Sequence, residues 1–112
     1  METNRNAKTL NALGLCARAR KLIFGSPMIC EALRAKKNKP LLVLCANDSS
    51  ENTAKRLRDR CAFYEVRMET LECNGEALAK AVGKTGKLSA VAVSDENLCR
   101  LVSGTLEEKT IL

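Results

Sequence analysis

Gly25, Ser26 and Pro27 interrupt the apolar stretch "KLIF" and open a helical pattern that closes on the cations of "RAKKNK". A serine at the N-cap can accept from the Met28 or Ile29 amide, proline at the first helical position lacks a donor it would not use, and glycine allows a tight turn. These features suffice for an ordinary helix start. They also leave first-turn amides and the positive end of a helix dipole available to an anion such as phosphate. Lys21, shortly before the turn, would reinforce that site, whereas Glu31 at the end of the first turn draws on the same dipole.

A second candidate is "VGKTGKLS". Its Gly-Lys-Thr invites a nucleotide-binding loop, but Leu78 occupies the position of the required earlier glycine, and the segment leads from helix into strand. What remains is a glycine-flanked loop bearing Lys84 and Lys87, either a solvated turn or a pair of phosphate contacts. "RLRDR", from Arg56 to Arg60, reads as the solvated face of a helix.

Catalytic chemistry has little to draw on. The chain has no histidine, and Asp48, Glu51, Asp95 and Glu96 sit where helix caps belong. Cys73, beside Asn74-Gly75, is the thiol least clearly in a core pattern, yet no adjacent Lys or Arg would lower its pKa. The six cysteines form no C-x-x-C pair, so they read as small buried hydrophobes of a reducing, cytoplasmic protein; neither a metal nor a cofactor is expected.

The elements that must position these residues follow from periodicity. Apolar residues at three and four from about Asn4 to Arg18 predict a first helix, with Thr3 as its cap. "KLIF" is a short strand, Ser26 to Lys37 a helix with Ile29, Ala32 and Leu33 inward, and "LLVLCA" a strand buried on both faces. "NDSSEN" caps a third helix with Ala54, Leu57 and Cys61 inward. A strand near Glu65–Glu69, a short helix ended by Gly83, the strand "LSAVAV" and a last helix capped by Asp95 complete the order. Strands alternating with helices predict a three-layer α/β/α sandwich around a four-stranded sheet, mainly parallel or mixed. Residues 1–112 fit a single domain, with no structure assigned to a tail from about residue 104.

Nineteen Lys and Arg against thirteen Asp and Glu leave a net charge of +6, which suits an anionic partner. Aromatic residues make up only 3% of the chain, which argues against broad base-stacking platforms. No stretch predicts a signal peptide or a membrane span.

Taken together, "LGLCARARKLIFG", the helix after it, "LLVLCANDSSENTAKRLRDRC" and "ALAKAVGKTGKLSAVAVSD" resemble the ribosomal-protein superfamily of kink-turn RNA binders, in particular the small bacterial group called YlxQ-like ribosomal proteins. The resemblance implies a non-catalytic, cytoplasmic RNA-binding protein that acts on ribosomal or other structured RNA, the ribosome included; a monomer is expected. It places the contact at Lys21, Gly25, Ser26, Pro27, Met28 and Glu31, flanked by Leu71, Glu72 and Cys73. Pro27, Met28 and Glu31 stand where the best-studied kink-turn binders carry Asn, Glu and Lys, and Arg20 stands where relatives commonly have Gly. Backbone amides from Gly25 to Ile29, with Lys21, Lys84 and Lys87, would then hold phosphate by shape and charge. The alternative is a protein-interaction module on the same fold, docking through Pro27, Met28 and Leu71.

Overall fold

The computed structural model describes residues 7–35 and 39–107. Its elements are α1 (Ala7–Arg18), β1 (Leu22–Phe24), α2 (Ser26–Arg34), β2 (Leu42–Cys45), α3 (Glu51–Phe63), β3 (Arg67–Thr70), α4 (Gly75–Ala81), β4 (Ala90–Val93) and α5 (Glu96–Glu107). The expected cap Thr3 and helix end at Lys37 lie outside the described residues. The helical pattern of α5 continues through Gly104 to Glu107, where sequence alone suggested an unplaced tail; residues 108–112 lie outside the described range.

The strands form one sheet in the order β1-β4-β2-β3. Only β2 and β3 pair in parallel; β4 runs antiparallel to both its neighbours, so the sheet is mixed. The reason lies in the segment before β4. Helix α4 is short, and the loop after it returns to α4's own start, where the Leu88 amide bonds to the Gly75 carbonyl at 3.0 Å. The chain therefore enters β4 from the end of the sheet at which β1, β2 and β3 finish.

Each face of the sheet carries its own core. On one side Leu13 and Cys16 of α1, Leu78 of α4 and Val102 of α5 cover Leu42, Leu44, Val91 and Val93. On the other, Ile29 and Leu33 of α2 and Leu57 and Cys61 of α3 cover Val43, Cys45, Ala90 and Ala92. β2 and β4 are buried on both faces, as continuous apolar runs require. Ala32 is only half-buried; Ile29 and Leu33, one turn apart, are the apolar residues of α2 that the sheet buries completely.

Three helices end alike. In α1 the Lys21 amide bonds to the Cys16 carbonyl and Arg20 to Ala17; in α3 Val66 bonds to Cys61 and Glu65 to Ala62; after α4 Lys84 bonds to Ala79 and Gly83 to Lys80. This is the Schellman arrangement, which puts the residue past the cap in the left-handed region. Gly83 fills it at φ 80°, but Arg20 and Glu65 fill it at φ 60° and 58°. Glu65 is thus a helix terminator, and β3 begins two residues later than its residue types suggest. Arg20→Gly should stabilise the protein by about 0.5–1 kcal/mol by removing the left-handed strain. A rise in the urea midpoint without a change in slope checks it.

All six cysteines are free, four of them buried. Burial, with Cys30 nearby, pushes the Cys61 thiol up to about 11 from an ordinary 9.0. The unfolded thiol ionises first, so the folded state loses stability as pH rises between those values, by roughly 3 kcal/mol when both are passed. Urea midpoints below pH 9 and near pH 11 should differ accordingly, and Cys61→Ala should reduce the difference while lowering the midpoint at the lower pH, the remainder coming from Cys16 and Cys73, whose thiols burial also pushes up.

Candidate nucleic-acid interface

Four connections meet at one end of the sheet, because β1, β2 and β3 end there and β4 begins there. The first is the turn at Gly25. Its φ of 86° and ψ of 149° belong to a region almost closed to side chains, its amide bonds to the Ala90 carbonyl at 3.0 Å, and its carbonyl accepts from the Ile29 amide at 3.0 Å. Gly25, not Ser26, is the N-cap of α2, and no side chain caps the helix. Ser26 is the first helical residue and is 7% exposed, turned inward by that glycine conformation. The amides of Ser26 and Met28 therefore precede the first helical hydrogen bond and have no carbonyl one turn back to bond to. Pro27, Met28 and Glu31 point outward, Met28 with 59% of its surface exposed.

The second connection runs from Ala46 to Ser50. The Ala46 amide bonds to the Ser89 carbonyl at 2.8 Å, Asn47 bonds to the Cys73 carbonyl at 2.9 Å, and the Ser49 hydroxyl donates to the Ser89 carbonyl at 2.8 Å. Asp48 Oδ1 accepts the Gly75 amide at 2.8 Å. Ser50 caps α3 by accepting from the Thr53 amide. These bonds tie three connections into one block.

The third connection, Leu71 to Asn74, departs from the resemblance. Leu71 is 1% exposed and Cys73 9%, and both pack in the core beside α4. Only Glu72 of that trio is on the surface, so Leu71 and Cys73 offer no side-chain contact, and Leu71 cannot belong to an apolar docking patch. The Cys73 thiol is pushed up by burial and by the Asp48 carboxylate, the reverse of what a nucleophile needs. Asn74 caps α4, its side chain accepting from the Ala77 amide at 2.8 Å, so Asn74-Gly75 is a helix start.

The fourth connection carries the cations. Lys84 Nζ lies 4.5 Å from the centroid of the Phe24 ring, a cation–π contact that places this ammonium beside the last residue of β1. Lys87 is exposed on the same loop, next to the Leu88–Gly75 bond. Lys21 is elsewhere. Its carbonyl accepts from the Ser94 amide at 3.1 Å, which puts it where β1 begins and β4 ends. Four steps along extended chain separate its backbone from Gly25, about 13 Å.

The structure therefore brings Gly25, Ser26, Pro27, Met28, Lys84 and Lys87 to one end, with Glu31 and Glu72 exposed nearby, and leaves the Lys21 backbone at the other. The Asp48–Gly75–Leu88 strut and the Lys84–Phe24 contact had no signature in the sequence, since each joins residues far apart in the chain. Among the described residues no cluster of three or more His, Cys, Asp or Glu could hold a metal ion, and no helix is long and apolar enough to cross a membrane.

Comparison with known proteins bears on this arrangement. Residues 7–102 match the ribosomal protein L7Ae/L30e/S12e/Gadd45 family profile. The chain is 34% identical over 95 residues to RNA-binding protein YlxQ of Bacillus subtilis (strain 168), covering 85% of this chain and 91% of that protein. It is 35% identical over 91 residues to RNA-binding protein YlxQ of Enterococcus faecium, covering 81% and 85%. A solved structure of a Bacillus halodurans protein of unknown function superposes with a TM-score of 0.81 at 29% identity, covering 90% of this chain and 98% of that one. The Giardia lamblia 15.5kD RNA binding protein superposes with a TM-score of 0.78 at 15% identity over 96% and 89% of the two chains, a likeness of fold.

Proposed function

We propose that this chain, which belongs to the ribosomal protein L7Ae/L30e/S12e/Gadd45 family, binds structured RNA at the end of the sheet where Gly25 meets the Lys84–Lys87 loop, without catalysing a reaction on it. The observation that carries the reading is the junction of two kinds of phosphate-binding group on one rigid rim. The Ser26 and Met28 amides at the positive end of α2 lie on one side, and two lysines on the other. Two relatives named as RNA-binding proteins, each matched over most of its length, support it.

The residues divide the work. Gly25 lets the backbone approach closely, with no Cβ to hold a phosphate away. The α2 amides supply directional donors, and Lys84 and Lys87 supply charge whose effect weakens with salt. Pro27 and Met28 give an apolar surface against which an unstacked base can rest. No side-chain amide or carboxylate stands at positions 27 and 28 to read a base edge, so recognition follows the shape of a distorted helix more than its sequence. Ribosomal RNA in the cytoplasm, bound by a monomer, is the setting this reading favours.

The test is a fluorescence titration with a kink-turn hairpin and with a straight duplex of equal length over a range of salt. The hairpin should bind more tightly, and log K should fall linearly with log salt at about 0.9 units per phosphate contact. Equal affinity for both RNAs would overturn recognition of shape, and a salt-independent affinity would overturn the phosphate-binding rim.

A further inference from the structure

We propose that the outer face of α3 is a second nucleic-acid contact surface, which holds an extended single strand with phosphates on Arg56 and Arg60 and a base stacked on Phe63. The inference rests on the RNA reading above, because α3 starts from the Ala46–Ser50 connection and a strand leaving the loop cluster meets this face next.

Leu57 and Cys61 turn toward the sheet and are buried. Asn52, Arg56, Arg60 and Phe63 follow one another at helical spacings on the side away from them. Arg56 and Arg60 lie about 6 Å apart along the axis, and Phe63 about 4.5 Å beyond. With Asn52, Lys55 and Asp59, the two arginines line a shallow, open groove of about 340 Å³ along the helix surface. Asp59 is the acid in that groove, and Lys55 pairs with it at 3.1 Å. Among the described residues neither Arg56 nor Arg60 has an ion pair, so the excess charge of the groove is theirs.

Phe63 is 77% exposed, the most exposed large apolar residue among those described. Tyr64 braces it edge-on, with ring centroids 4.9 Å apart and planes at 85°, and Lys39 Nζ sits 5.6 Å from the Tyr64 centroid. The ring is therefore positioned yet uncovered. A ligand that satisfies both the guanidinium pair and the ring must alternate negative charge with flat apolar faces, as a single strand does. An acidic protein could meet the arginines, but it would need an aromatic side chain placed at the ring as well, whereas a single strand carries a charge and a flat face on every nucleotide.

Three fluorescein-labelled probes test this with the full chain: a kink-turn hairpin, the same hairpin with an oligouridine tail of about eight nucleotides, and the oligouridine alone. The tail should tighten binding about tenfold, and Phe63→Ala should remove that gain while leaving hairpin affinity unchanged. Phe63→Trp should keep the gain and Phe63→Leu lose it, which separates stacking from apolar contact. Arg56→Ala with Arg60→Ala should reduce the salt slope for the tailed probe by about 1.4 units. All three positions are exposed, so the fold survives the changes. If the hairpin fails to bind while oligouridine binds in a Phe63-dependent way, the loop reading falls and this one stands. A tail that adds nothing, or a gain indifferent to Phe63, overturns it and leaves this face to an acidic protein partner.

Discussion

Gly75→Ala should lower the melting temperature by about 10–15 °C, although alanine is the better helix former by about 1 kcal/mol. A Cβ on Gly75 would stand 2.7 Å from the Leu88 carbonyl oxygen and 3.2 Å from its nitrogen. Both are backbone atoms, fixed by the bond from the Leu88 amide to the Gly75 carbonyl. Relief requires moving the returning loop, which strains that bond and the one from the Gly75 amide to Asp48 Oδ1. Overpacking against a rigid neighbour costs about 1–3 kcal/mol, and weakening these bonds adds to it, so the clash outweighs the helical gain. The loop that moves carries Lys84 and Lys87, hence RNA affinity should fall with stability. Asp48→Asn, which keeps an oxygen acceptor for the amide, should cost less than Asp48→Ala. Calorimetry on the three variants decides the matter; a Gly75→Ala protein that melts with the parent would show that the approach is not constrained.

That glycine illustrates what could be read before the fold was known. Asn74 as a cap beside a glycine was legible, since capping is local chemistry within four residues. The need for a glycine there was not, because it depends on a loop carbonyl thirteen residues later. The same division holds elsewhere. Leu13, Leu33, Leu57 and Val102 follow helical periodicity and are all buried, and Ser50 and Asp95 cap the helices their types suggested. The direction of β4 was hidden, because α4 and its return loop together bring the chain back to where it started.

The rim itself was half legible. Gly-Ser-Pro marks a helix start in any context, but which residue becomes the cap depends on whether Ser26 faces solvent or core, and the pairing of Gly25 with Ala90 turns it inward. Lys21 is near Gly25 in number and far from it in space, as residues at opposite ends of a strand must be. Alternating side-chain direction could not be assigned for Leu71 and Cys73 without knowing that α4 covers them. Phe63 was visible only as one of a few aromatics; that it stays uncovered is a fact of tertiary packing.

Replacing both Lys84 and Lys87 with alanine should weaken binding to a kink-turn hairpin by roughly fifty-fold at about 0.1 M salt and reduce the log-log salt slope by about 1.8 units. Each ammonium that neutralises a phosphate releases counterions, so the loss shrinks as salt rises and the two lines converge near 1 M. Lys21→Ala, removing the same charge at the far end of β1, should leave the slope nearly unchanged. That contrast matters because a net charge of +6 alone would make any lysine equivalent. Stability is not the cause of the expected loss. The Lys84 contact with Phe24 is worth only about 0.5–1 kcal/mol at an exposed site, and Lys87 is in solvent. Should Lys21→Ala flatten the slope by half as much as the loop pair does, every lysine counts equally, binding is diffuse attraction to a cation, and the rim at Gly25 has no particular claim on the RNA.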